Sequence, residues 1–213
     1  MTRPVTRIRV GYISYASAFT MVQIPKQYQQ APIWTLIGQL GLMLGIAIST
    51  FLLPRYLMTG GGISNYGVQP QTVAFYTTGF ILAASGALAS SYLLQGNTHH
   101  NSRLVSRSLI VLSVLYILVL ISTYPYQLSP ALNYIHQAIS STLYFYMTGL
   151  GTYLTYNMPR TYLNRGLRYL LLSTLVIAML TYFGIVSLLF LNELMTGIFF
   201  GTIIVRYLRL IEK

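Results

Sequence analysis

Two ionisable side chains stand inside otherwise apolar stretches of this 213-residue chain: His136, in IHQAISSTLYFY, and Glu193, in NELMTGIFF. Charge is expensive inside a bilayer, so a group of this kind in a membrane segment marks a candidate for ligand or proton chemistry. A third feature is GGGISNYGVQPQ, residues 60–71, where three glycines precede Ser64-Asn65-Tyr66-Gly67. Hydroxyl, amide and phenol groups offer donors and acceptors to a ligand, while an imidazole and a carboxylate can move protons. Ser64, Asn65, Tyr66, His136 and Glu193 are therefore the candidate ligand-binding residues. A hydrolytic version of the site uses His136 as base, Glu193 as acid or base, and Ser64 as nucleophile or ligand contact. A purely structural alternative stands beside it. His136 then bonds a neighbouring helix, and Glu193 caps the start of its own helix, where a carboxylate meets the positive end of the dipole.

Spacing alone does not bring these residues together, so the elements that carry them must. The chain is 54% hydrophobic and 7% charged, with a mean hydropathy of +0.61, against about 25% charge in a soluble domain. Several apolar windows of roughly 17–25 residues predict an all-α integral membrane six-helix bundle. The spans are expected at 32–53, 72–95, 108–124, 131–155, 168–186 and 190–208, with Pro32, Pro54, Pro70, Pro125, Pro130 and Pro159 at their joints. Arg3, Arg7, Arg9 and Lys26 precede the first span. Arg103 and Arg107 lie between spans two and three, Arg160, Arg165 and Arg168 between four and five, and Arg206, Arg209 and Lys213 close the chain. The other loops carry only Arg55. The positive-inside rule then makes both termini cytoplasmic and turns loops 54–71, 125–130 and 187–189 outward.

That topology gives the chemistry an address. Span four runs inward from 131, which sets His136 roughly 5–8 Å below the outer boundary at ~1.5 Å per residue. Glu193 sits about a turn inside span six, and the Ser64 loop lies on the same surface. A polar pocket near the outer leaflet follows, with GGGISNYGVQPQ as its lid or wall.

The rest of the chain narrows the function classes. Residues 1–31 form a cytoplasmic or interfacial tail rather than a cleaved signal, since their apolar centre is broken by Tyr, Ser and Thr. Residues 32–213 are the transmembrane domain. The net charge of +11, with Glu193 and Glu212 the only acids, comes from residues flanking spans. Topology and anionic membrane lipids explain it, and no nucleic acid is expected. There is no cysteine, hence no disulfide, thiolate nucleophile or cysteine metal site. No metal and no cofactor are expected: His136 has no second histidine in the outer half, and His99-His100 fall in a cytoplasmic turn. Gly41 with Gly45 and Gly197 with Gly201 have the spacing that lets helices approach closely in lipid. Tyrosines at span ends, Tyr66 among them, suit an interfacial belt. No internal repeat is visible, and no charged pathway crosses the inner half, which disfavours a transporter or channel.

The same residues carry a family resemblance. An IS-x-x-G motif (Ile63, Ser64, Gly67) in the first outward loop, an H-x-x-x-[AS] segment opening span four at His136, and the acidic Glu193 beginning span six occur in this order on one side of the membrane. The arrangement resembles the six-span DRAM-type superfamily, which includes autophagy modulators, GPI-anchor lipid-remodelling proteins and uncharacterised prokaryotic relatives. It covers about residues 32–209. The family often has Asp-Thr after the serine, where this chain has Asn65-Tyr66, and an aromatic after the acid, where it has Leu194. Loss of that carboxylate weakens the transfer of any enzymatic chemistry. Three functions are expected to compete: binding of a lipid or lipid-like ligand in the outer leaflet of the cell membrane; an accessory structural subunit with membrane-protein partners; and a lipid-modifying enzyme using His136 and Glu193.

Overall fold

A computed structural model describes residues 30–57, 62–95 and 100–211. The tail of residues 1–29, Gly60, Gly61, His99 and Glu212 lie outside the described residues. Among those described there are six α-helices, two short 3-10 segments and no strand: α1 (Ala31–Leu52), α2 (Val73–Leu94), α3 (His100–Thr123), α4 (Pro130–Tyr156), α5 (Tyr162–Tyr182) and α6 (Leu189–Ile211). The 3-10 segments, Pro54–Leu57 and Ile63–Val68, both lie between α1 and α2. Five helices, all but α4, are long and apolar enough to cross a membrane, the architecture of a multi-pass helical membrane protein. Lipid offers backbone groups no hydrogen-bond partner, so helices that satisfy themselves are the stable answer to such sequences.

Three helices match their expected spans to within a residue or two. Two begin earlier: α3 at His100 rather than 108, and α5 at Tyr162 rather than 168. Arg103, Arg107, Arg165 and Arg168 therefore belong to helix ends and not to loops. Apolar content locates the lipid-facing part of a helix, whereas Arg is a good helix former that extends the same backbone beyond the apolar layer. At the other end α5 stops at Tyr182, short of 186. Gly184, at φ +71°, takes the left-handed conformation just past the helix, and its N–H bonds Thr181 O at 3.0 Å.

α1 packs on α2, α2 on α3, α3 on α4, α4 on α6, and α6 back on α1. These five close a ring. α5 stands outside it, against α4 and α6, and is the least buried of the five apolar helices. The tightest seam is α1–α2. A Cβ on Gly45 would lie 2.5 Å from Phe75 O, and one on Gly86 2.5 Å from Trp34 O, so only hydrogen fits there. Thr35 Oγ1 donates to Ser90 Oγ at 2.7 Å, and Ser90 Oγ lies 2.7 Å from Ala31 O. Gly197 and Gly201 of α6 receive Met43 and Gln39 of α1. Outward-facing Ile33, Ile37, Leu40, Leu44 and Phe51 leave an apolar face on α1 for lipid.

Candidate ligand site at one end of the bundle

The Ile63–Val68 turn folds over the end of the ring, against α1, α2, α3 and α6. The Ile63–Val68 turn is pinned by α6: the Ile63 N–H donates to Glu193 Oε2 at 2.6 Å. Gly62 allows that approach, since a Cβ there would stand 2.9 Å from the same oxygen. Gly67 lies against Thr123 and the Tyr76 ring, where a Cβ would collide with both. Tyr66 is fully buried and meets Phe190 edge to face at 5.9 Å between ring centroids. Thr72 Oγ1 closes the turn by donating to Tyr66 O at 2.7 Å. Contacts from α2, α3 and α6 thus fix where the turn presents Ser64.

His136 meets it from α4. Ser129 caps that helix by accepting the Leu132 N–H at 3.2 Å, with Pro130 at its first position, and His136 follows in the second turn. Its Nε2 lies 2.8 Å from Ser64 Oγ, and its Nδ1 lies 2.9 Å from Ser122 Oγ at the end of α3. The Ser122 hydroxyl donates to Val119 O at 3.0 Å. Ser122 Oγ is then left to accept from Nδ1–H, and Nε2 turns its lone pair toward the Ser64 hydroxyl. Ser140, one turn along α4, is a weaker neighbour of Nε2 at 3.4 Å. Tyr126 stacks on the imidazole at 5.0 Å between centroids, and its hydroxyl donates to Asn65 Oδ1 at 2.7 Å.

Beneath the turn, inside the five-helix ring, lies a cavity of about 80 Å³. Its walls are mostly apolar, with Leu42, Ile46, Phe80, Leu143 and Met147 among them, while Ser64, Ser140, Tyr144, Glu193 and Thr196 supply the polar groups. No α5 residue lines it. Tyr144 Oη accepts from Asn192 Nδ2 at 3.3 Å. The Asn192 Oδ1 beside it is one of three buried side-chain oxygen atoms without a hydrogen-bond partner among the described residues, with Gln39 Oε1 and Thr152 Oγ1.

The five candidate residues take different places. Ser64 and Glu193 line the cavity, and His136 stands behind Ser64. Asn65 faces Tyr126, away from the cavity wall. Tyr66 lies in the core, neither in the wall nor in an interfacial belt. Glu193 does not cap α6: no acid occupies that helix's first turn, and its carboxylate binds Ile63 instead. Ser122, Tyr126, Ser140 and Tyr144 were not among the candidates. Ser140 and Tyr144 follow His136 at four-residue steps, a one-face helical pattern that could have flagged them.

The chain matches no family model, no curated protein and no solved structure.

Proposed function

We propose that this is a six-span protein of the cell membrane, with both termini cytoplasmic, that holds part of a lipid or lipid-like ligand under the Ile63–Val68 turn near the outer leaflet. The observation that carries the reading is the cavity: apolar walls inside the ring, with Ser64 and Glu193 at the end beneath the turn. Such a gradient suits an amphiphile. At about 80 Å³ it is well below the roughly 300–1,000 Å³ of a pocket that encloses a whole ligand. It takes a short apolar piece, and the remainder of the ligand stays outside the ring.

The sixth span is α4. Its apolar content is diluted by His136, Ser140, Tyr144 and Thr148, which recur every fourth residue, and the first three face the imidazole cluster or the cavity. Polar residues turned inward do not oppose insertion as lipid-facing ones would. Charge supports the orientation. Among the described residues, Arg103, Arg107, Arg160, Arg165, Arg168, Arg206 and Arg209 lie at one end and Arg55 alone at the other. The gathering of Ile63, Ser64, Gly67, His136 and Glu193 supports kinship with the DRAM-type superfamily.

The test is the lipid that the full-length protein retains from its native membrane, measured by mass spectrometry. Gly197→Leu places a side chain in the cavity, and Ser64→Ala and Glu193→Gln, made separately, each remove a polar partner. Each is expected to lower retention of the bound species while thermal unfolding stays cooperative. An identical lipid profile in all three variants would sink the reading.

The Ser64–His136–Ser122 chain favours a second reading, acyl transfer from a lipid ester. Nε2 takes the Ser64 proton as Oγ attacks the ester carbonyl; the ester C–O bond breaks, and the proton passes to the departing alcohol. Water then releases the acyl group. A fluorophosphonate probe is expected to label Ser64 in the wild type and to fail in His136→Ala. Absence of any Ser64 adduct in folded protein removes this reading and leaves the binding one intact.

A further inference from the structure

At the opposite end of the bundle, the joint between α4 and α5 encloses a separate pocket of about 300 Å³. We propose that it binds the phosphate of an anionic phospholipid headgroup. Arg160, Arg165 and Arg168 all line it, together with Tyr156, Asn164 and Tyr169, and no acidic side chain does. Arg165 and Arg168 are three residues apart on α5 and share a face; Arg160 enters from the loop just before the helix cap.

Three guanidinium groups around one concavity repel one another unless an anion lies between them. One of them is held in place by its surroundings. Arg168 Cζ stands 4.2 Å above the centroid of the Tyr156 ring and 5.6 Å from that of Tyr169, which fixes the guanidinium without neutralising it. Asn164 is buried; its Nδ2 donates to Pro159 O at 2.8 Å, and its Oδ1 accepts from Arg206 Nε at 2.6 Å. That pair ties the loop bearing Arg160 to α6 and brings a fourth cation beside the pocket. Thr161 Oγ1 caps α5 by accepting the Asn164 N–H at 3.3 Å, so the positive end of the helix dipole also points here.

The chemistry is that of a phosphate site, because guanidinium groups match phosphate oxygens two at a time. The surface around the pocket selects the lipid-borne source. Tyr156 and Tyr169 in its lining and Tyr162 at the start of α5 are all exposed, an aromatic rim suited to the boundary between acyl chains and headgroups. A soluble anion has no use for that rim, whereas a phospholipid covers it with its chains.

The full-length protein in nanodiscs of mixed phosphatidylglycerol and phosphatidylcholine, read by native mass spectrometry, tests the proposal. Phosphatidylglycerol is expected to be enriched on the wild type. Enrichment should fall by about tenfold or more in R160Q/R165Q/R168Q and several-fold in R160K/R165K/R168K, which keeps charge but loses paired hydrogen bonding. R103Q/R107Q, which removes the same sign of charge elsewhere at that end, should leave enrichment unchanged. Equal losses in R103Q/R107Q and the pocket variants, or an undiminished lysine triple, would mean diffuse surface attraction and overturn the site. Displacement of the lipid by millimolar inorganic phosphate would reassign the pocket to a soluble anion and overturn the lipid assignment. The arginines are exposed or half-exposed, and the lysine triple retains every charge should the glutamine triple not fold.

Discussion

Ser64 Oγ and His136 Nε2 lie 2.8 Å apart although 72 residues separate them in the chain. The bond joins the loop after α1 to the second turn of α4, and Ser122 on the far side of the imidazole brings in α3. Glu193 fixes the same loop from α6. One short turn is thereby tied to three elements through polar contacts, in a chain whose other packing is mostly apolar.

Removal of either partner should therefore cost different amounts. Ser64→Ala deletes one hydroxyl and leaves Nε2 with Ser140, so a loss of about 0.5–1.5 kcal/mol is expected. His136→Ala deletes a buried ring, removes one hydrogen bond each from Ser64 and Ser122, and unstacks Tyr126; about 2–4 kcal/mol is expected. Thermal unfolding in mild detergent reads the difference, at roughly 2–4 °C per kcal/mol for a chain of this size. Equal midpoints for the two variants would show that the imidazole does not organise the loop.

Glu193 makes a sharper case, because its partner is a backbone amide. Glu193→Gln keeps an oxygen that can accept from Ile63, whereas Glu193→Ala leaves that N–H unpaired below the turn. Hydrogen exchange at the Ile63 amide should be protected in the wild type, nearly as well protected in Glu193→Gln, and fast in Glu193→Ala. The alanine variant should lose about 1.5–3 kcal/mol, the range for hydrogen bonds to charged groups. Fast exchange in the wild type would contradict the 2.6 Å bond.

Most of the fold was legible because lipid leaves a long apolar run little choice but to be a helix. Helix ends were less so: Arg103 and Arg107 mark the end of apolar sequence but not of α3. For the site, Ser64, His136 and Glu193 stood out because polar groups in apolar context are costly and need a reason. Ser122 and Tyr126 did not. Hydroxyls are common in this chain, and many satisfy themselves on their own helix, as Thr142, Thr181 and Thr202 do four residues back. A serine that also accepts from a histidine looks the same in sequence. Tyr66 misled for a related reason: its type suits a pocket or an interface, yet it is spent filling space against Phe190.

Asn164 is the structural hinge of the arginine-lined end. Asn164→Ala removes the acceptor of the Arg206 Nε–H and the donor to Pro159 O, both at a buried position. A loss of about 2–3 kcal/mol is expected, most of it from the charged bond. Asn164→Asp should restore the tie to Arg206 but not the one to Pro159. Its unfolding midpoint should fall between those of the wild type and the alanine variant, and an aspartate no better than alanine would contradict a role for Arg206.

Glycines separate packing from propensity within one chain. At Gly86 a Cβ would stand 2.5 Å from Trp34 O and 2.9 Å from the Cα of Gly38, and both obstacles are backbone that cannot rotate away. Gly86→Ala should force α1 and α2 apart and cost about 1–3 kcal/mol or more. Gly149, in α4, has nothing within 4 Å of the place where a Cβ would stand. There alanine meets no obstacle and removes the conformational freedom that glycine gives the unfolded chain, so Gly149→Ala should gain about 0.5–1 kcal/mol. Unfolding midpoints of the two variants should move in opposite directions. A shared direction would mean that the α1–α2 seam is not the close glycine contact found here.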